Sequence, residues 1–227
     1  MNPPCRFAAA LLAGGASTRM GTDKALLDWR GVPLWRAQLG KLIDLNPDRL
    51  LLSCRENQPL KNVFAEWVHD PPDNPGPMGA IARCLEYLQT KGDDSSIKER
   101  DLPSPGRASH RDAMTLPLLL LAVDMPRMTP AFLQSVLESC PDSSRGLVCR
   151  TTDGFEPLCA VYPPDALPWF QEFLQQKNGR MQSLVEQLVA AGLLRVRDLK
   201  PEEVPLFFNA NTPEEYTWTT SAPPASN

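Results

Sequence analysis

The run Leu118-Leu119-Leu120-Leu121-Ala122-Val123 constrains the fold more than any other stretch of the chain. Six apolar residues in succession, with no polar residue at alternate positions, do not make a strand with one wet face. They fit a central strand covered on both sides, as in parallel sheets. The rest of the sequence alternates in the matching way. Strand-like runs at Phe7–Leu12, Arg49–Ser53, Glu66–His69, Leu147–Arg150 and Leu158–Tyr162 are separated by stretches of helical period. Those stretches are 33–45, with apolar residues at Leu34, Trp35, Leu39, Leu42 and Ile43, then 78–88, 131–138, 166–176 and 180–191. Thr129-Pro130 supplies an N-cap and first helical position for the third of them. The pattern predicts an α/β fold: a Rossmann-like three-layer sandwich with a mostly parallel central sheet, in which the last two strands add an antiparallel element. Ligands in such sheets bind beyond the carboxyl ends of the strands.

A length of 227 residues suits one domain, here expected over 1–217. Two segments lack the periodicity of a packed core. Lys91–Ala113, KGDDSSIKERDLPSPGRASHRDA, reads as a long flexible loop insertion, and 218–227 as a disordered tail. Proline, at 24 residues, is roughly twice its usual ~5%. The net charge of −4 argues against a general nucleic-acid binder, and no run of 18 apolar residues offers a membrane span. The start of the chain lacks a basic n-region and runs directly into a glycine motif that cleavage would destroy, so no signal peptide is expected. The six cysteines form no CxxC pair, and with only two histidines they make poor material for a zinc site. Reduced, mostly buried thiols in a cytoplasmic protein are the expectation.

The strongest local signal is Leu12-Ala13-Gly14-Gly15-Ala16-Ser17-Thr18-Arg19-Met20-Gly21-Thr22-Asp23-Lys24. A strand runs into paired glycines, then small hydroxyl residues, an arginine and a lysine. Glycines let the backbone turn with positive φ and leave no Cβ between its amides and a ligand. Consecutive N–H groups with Arg19 and Lys24 nearby make a concavity that prefers anions. The spacing is neither that of a Walker A loop nor GxGxxG. Asp70, at the end of a strand and ahead of four prolines, fits either a ligand contact or a turn aspartate. Asp124 ends the fully apolar strand, and Thr129-Pro130 already caps the following helix, which leaves its carboxylate for a divalent cation. In Asn209-Ala210-Asn211-Thr212-Pro213-Glu214-Glu215, a capping box on Thr212 and Glu215 leaves Asn209 and Asn211 available.

Through Lys24 and Leu26 this chain resembles the MobA-like nucleotidyltransferases, whose signature is LAGGxSxRMGxDKxL. The likeness extends from Phe7 to about Tyr216, with Lys91–Ala113 as a departure. It implies a sheet of the nucleotide-diphospho-sugar transferase type. It also implies transfer of GMP from GTP to the terminal phosphate of molybdenum-bearing molybdopterin, releasing pyrophosphate. By the same resemblance, Leu12, Ala13, Gly14 and Gly15 flank base and ribose, while Arg19 and Lys24 hold the triphosphate and stabilise the leaving pyrophosphate. Asp124 binds Mg²⁺, Asp70 and Ser53 touch the nucleotide, and Asn209 and Asn211 lie near metal and phosphates. Glu156-Pro157-Leu158 resembles the segment that faces the acceptor. Glu215 stands where the family has aspartate. GTP, a molybdopterin-type substrate, and molybdoenzymes or cofactor chaperones are the implied partners. The guanylyl branch carries LAGG where the cytidylyl branch reads LAAG, the smaller residue making room beside the base, so Leu12-Ala13-Gly14-Gly15 favours GTP. A cytidylyltransferase, or a non-catalytic nucleotide or cofactor-delivery protein, is the alternative.

Overall fold

The computed structural model describes residues 6–15, 23–61, 63–71, 76–90, 116–140, 144–176, 180–210 and 215. The expected loop at 91–113 and the tail at 218–227 lie outside them.

Strand β1 (Ala8–Leu12) is followed by a short hairpin of β2 (Asp28–Trp29) and β3 (Val32–Pro33), helix α1 (Leu34–Ile43), and strands β4 (Arg49–Cys54) and β5 (Glu66–His69). Then come α2 (Pro77–Thr90), β6 (Leu118–Ala122), α3 (Pro130–Glu138), β7 (Gly146–Thr151) and β8 (Gly154–Tyr162). Helices α4 (Leu167–Gln175) and α5 (Met181–Ala190) lead to the last strand, β9 (Leu194–Asp198). Among the described residues seven strands form one sheet in the order β5-β4-β1-β6-β8-β7-β9. Only β8 runs against its neighbours, pairing antiparallel with both β6 and β7, while β9 lies parallel to β7.

Side-chain alternation sends the two halves of each central strand to different layers. Ala9, Leu11, Leu119 and Leu121 pack with α1 and α3 through Leu39, Leu42, Phe132 and Leu133. Ala8, Ala10, Leu118 and Leu120 pack with α2, α4 and α5 through Ile81, Leu85, Phe170 and Leu184. Every residue of β1 and β6 is buried, which explains their unbroken apolar runs. Thr129 caps α3 as expected, its Oγ1 accepting from the Phe132 N–H at 3.2 Å. The cysteines at 54, 84, 140, 149 and 159 are buried free thiols, and burial pushes Cys54, Cys84 and Cys149 up to about 12. No helix among the described residues is long and apolar enough to cross a membrane.

Strand β8 begins four residues earlier than its apolar pattern suggests, because it contains a bulge. Val148 pairs with Ala160, yet the next residue, Cys149, pairs with Glu156, so Pro157-Leu158-Cys159 are looped out relative to β7. Pro157 has no N–H to give the ladder, and a bulge is where a strand tolerates that. Its carbonyl accepts instead from the hydroxyl of the fully buried Tyr162 at 2.9 Å, while the Tyr162 ring meets Phe170 edge-on. The Tyr162→Phe variant keeps the ring contact and strands this carbonyl. It should lower unfolding free energy by about 1–2 kcal/mol, read from urea denaturation.

Candidate active site

Parallel pairing brings four carboxyl ends to one edge. Leu12 lies level with Ser53 on one side and Ala122 on the other, and Ser53 lies level with Val68. The chain leaves these strands as Ala13-Gly14-Gly15, Arg55, Asp70 and Val123-Asp124, so the predicted residues of three distant segments meet along one line. The Ala13 and Gly14 N–H groups both donate to the Ser53 carbonyl, at 2.8 and 3.2 Å, and the Asp70 N–H donates to Cys54 at 2.9 Å. Leu12 and Ala13 have buried side chains, so these two residues can offer a ligand only their backbone.

Asp70 is turned back over β1. Its Oδ1 accepts from the Ser53 hydroxyl at 2.6 Å, and Ser53 itself is 1% exposed. A Cβ on Gly14 would meet Asp70 Oδ2 at 1.8 Å. The physical reason for glycine at 14 is therefore the neighbouring carboxylate, where the sequence pointed to room beside a base. At Gly15, φ is +102° with nothing crowding the α-carbon, so here the requirement is conformational.

Asp124 sits at the exit of β6, with Lys24 Nζ 3.6 Å from its Oδ2. Burial pushes the Asp124 carboxyl above its ordinary value, and the charge and hydrogen bond of Lys24 pull against that. Its second oxygen, Oδ1, is buried with no hydrogen-bond partner. An orphaned carboxylate oxygen at the carboxyl edge of the sheet fits a divalent cation. Among the described residues no three His, Cys, Asp or Glu side chains gather to hold a metal, so such an ion would draw its other ligands from phosphate and water.

The loop carrying Asp124 is held by its carbonyls. Gln38 of α1, fully buried, directs its amide N–H groups at Ala122, Val123 and Met125, with the shortest contact 2.7 Å to Met125. The Lys41 ammonium donates to the Gln38 amide oxygen and, at 2.9 Å, to the Pro126 carbonyl. Burial, with the Arg30 charge, lowers Lys41 to about 8. The Asp124 carbonyl accepts from the Ala210 N–H at 3.0 Å, which brings Asn209 alongside the same loop. Lys24 is placed by a 3-10 turn, Lys24–Leu26, capped by Asp23. Arg19 and Asn211 lie outside the described residues.

Sequence reading missed Gln38, Lys41, Asp23 and Gln58. Gln38 carried a usable signal: it is a polar residue within the apolar stripe of Leu34, Trp35, Leu39 and Leu42. Glu156 enters through the bulge. Leu121 pairs antiparallel with Cys159, so the residues preceding Cys159 extend past the end of β6, on the edge that bears Asp124. Burial and the Asp153 charge push Glu156 up to about 7.

Residues 9–191 match the profile of the MobA-like NTP transferase domain. The chain is 31% identical over 209 residues to a probable molybdenum cofactor guanylyltransferase of Opitutus terrae, covering 92% of each. It is 31% identical over 216 residues to the molybdenum cofactor guanylyltransferase of Pseudomonas fluorescens, covering 93% of this chain and 92% of that one. Among solved structures it superposes on molybdopterin-guanine dinucleotide biosynthesis protein A of Archaeoglobus fulgidus with a TM-score of 0.65 at 19% identity, covering 94% of this chain and 97% of the other. The 2-C-methyl-D-erythritol 4-phosphate cytidylyltransferase of Thermus thermophilus gives 0.61 at 15% identity, covering 95% and 96%. These two likenesses show the nucleotidyltransferase fold, shared by a cytidylyl enzyme.

Two outcomes follow for the site. Gln38→Leu keeps the helix packing but strips donors from buried carbonyls, and should cost about 2–3 kcal/mol in urea denaturation, with faster amide exchange in the 122–126 loop. Because the folded-state value of Glu156 is raised, the folded chain favours its protonated form. Wild type should then lose stability as pH rises from the ordinary 4.5 through about 7. Glu156→Gln should match wild type in urea midpoint at about pH 4 and exceed it at about pH 8.

Proposed function

Since the chain belongs to the MobA-like NTP transferase family, we propose that it transfers GMP from GTP to the terminal phosphate of molybdenum-bearing molybdopterin and releases pyrophosphate. The observation that carries this reading is the pairing of Lys24 with Asp124 at the edge where Gly14 and Asp70 also converge. One side of that edge presents backbone and a carboxylate, suited to a base and sugar. The other presents an ammonium and a carboxylate with an unused oxygen, suited to phosphates and Mg²⁺. The curated relatives carry the guanylyl name.

In this reading the acceptor phosphate attacks the α-phosphorus in line, a new P–O bond forms, and the bridging α–β bond breaks with its electron pair leaving on pyrophosphate. The chain contributes position and charge, with no nucleophile of its own. Lys24 holds the triphosphate and neutralises charge that builds on the leaving group, a task shared with Arg19. Asp124 would hold Mg²⁺, which when bound would supply Lewis-acid neutralisation of phosphate charge. Asp70, fixed by Ser53, is an acceptor on the base side. Guanine offers adjacent ring and exocyclic N–H donors on one edge, where cytosine offers an acceptor beside its amine. Buried reduced thiols suit a cytoplasmic enzyme.

Calorimetric titration in the presence of Mg²⁺ tests this. GTP should bind in the micromolar range and CTP at least roughly tenfold more weakly, a gap of about 1.4 kcal/mol. Gly14→Ala, which displaces Asp70, should erase that preference, and Asp124→Ala should erase the dependence on Mg²⁺. Lys24→Ala should lower kcat/KM by well over threefold, about 1 kcal/mol of transition-state stabilisation. Preference for CTP would move the activity to cytidylyl transfer, and binding of neither nucleotide would end the proposal.

A further inference from the structure

Gln58 stands outside every motif of the sequence, yet both of its amide N–H donors and its amide oxygen are engaged. Its Nε2 donates to the Ala13 carbonyl and to Asp23 Oδ2, both at 2.9 Å, and its Oε1 accepts from the Arg55 N–H at 3.1 Å. The turn bearing it, at the exit of β4, is closed by its own N–H donating to the Arg55 carbonyl at 3.1 Å. Asp23 is the second hub. Its Oδ2 also accepts from Arg55 Nη2 at 2.5 Å, and its Oδ1 accepts from the Ala25 N–H at 3.0 Å. That last bond caps the turn that directs Lys24 at Asp124. Ala13 is fixed on its other side, its N–H donating to Ser53. One amide, 6% exposed, therefore ties residue 13, where the glycine-rich loop begins, to residue 23, where it ends.

We propose that Gln58 is a positioning residue for nucleotide transfer: it clasps Ala13, on the base side, to Asp23, beside the phosphate-side lysine, and so sets the span between the two halves of the site. The inference rests on the nucleotidyltransferase reading above. The geometry has a chemical logic. An amide has two N–H donors on one nitrogen, so a single rigid group can bridge a carbonyl and a carboxylate at fixed separation. With Arg55 on the same carboxylate, both Asp23 oxygens are hydrogen-bonded in a half-buried place. Through Asp23, Lys24 is thereby tied to the turn at the exit of β4.

Two variants test the clasp. Gln58→Leu fills a similar volume without donors. Gln58→Asn keeps a buried amide that is one methylene too short to reach both partners, and serves where the first variant does not fold. Steady-state kinetics with GTP, with either variant placed in a cycle with Lys24→Met, provide the readout. The expected result is a fall in kcat/KM of roughly tenfold or more for each Gln58 variant, with little further loss when it is added to Lys24→Met. Multiplicative losses in that cycle, or a Gln58→Asn enzyme within about twofold of wild type, overturn the inference and leave Gln58 as a structural amide. A wild-type chain inert toward both GTP and CTP overturns the parent reading and the inference together, whereas an active wild type with a multiplicative cycle overturns the inference alone.

Discussion

Strand register is the constraint on which the site depends. Leu12 is flanked by Ser53 and Ala122 because β1 pairs in parallel with both β4 and β6. A slip of one residue in either pairing would turn every buried leucine of that strand to the opposite layer. The apolar surfaces of α1 and α3 on one side, and of α2, α4 and α5 on the other, therefore fix where the strands end. The positions of Asp70, Asp124 and the glycine pair follow from core packing contributed by distant parts of the sequence. Hydrophobic burial here acts as an alignment device for the polar groups at the strand ends.

Alignment of strands does not by itself orient side chains on the loops beyond them, and the structure adds a separate set of buried amides for that purpose. The carbonyls from Ala122 to Pro126 face donors: Gln38 gives one N–H to Met125 and shares the other between Ala122 and Val123, Ala210 serves Asp124, and Lys41 serves Pro126. Backbone held in this way cannot relax to satisfy the orphaned Asp124 oxygen, so that oxygen keeps its capacity for an incoming ligand. Gln58 performs the equivalent service between Ala13 and Asp23. Both glutamines are buried, where an unsatisfied amide would be costly and a satisfied one is correspondingly stiff.

Sequence periodicity revealed the strands that are covered on both faces and the helices that cover them, since unbroken apolar runs and 3.6-residue stripes bury their apolar surface in few arrangements besides this one. It did not reveal β9, Leu194-Arg195-Val196-Arg197-Asp198, whose alternation with two arginines is that of a short edge strand. Nor did it find the hairpin of β2 and β3, with two residues in each strand. Of the site, the residues on strand ends were legible because topology places them together. Gln58 was not, because its importance lies in reaching Ala13 and Asp23, 45 and 35 residues away, and no local pattern encodes that distance. The reason for Gly14 was equally hidden: the atom that excludes a Cβ belongs to Asp70, just past the end of β5, a strand two places across the sheet.

The pairing of Lys24 with Asp124 also balances charge within the proposed site. A carboxylate as deeply placed as Asp124 is destabilised in its charged form, and the ammonium at 3.6 Å offsets part of that cost. A nucleoside triphosphate with a divalent ion would bring the same two kinds of charge: phosphate oxygens for Lys24 and a cation for Asp124. Each side chain could exchange one partner for another of the same sign, and neither would pass through a buried, uncompensated state. The lysine and the carboxylate are thus one unit electrostatically. Removing either alone should disturb the other more than it disturbs the fold, because β6, which leads to Asp124, and the turn that carries Lys24 are held by contacts that do not involve this pair.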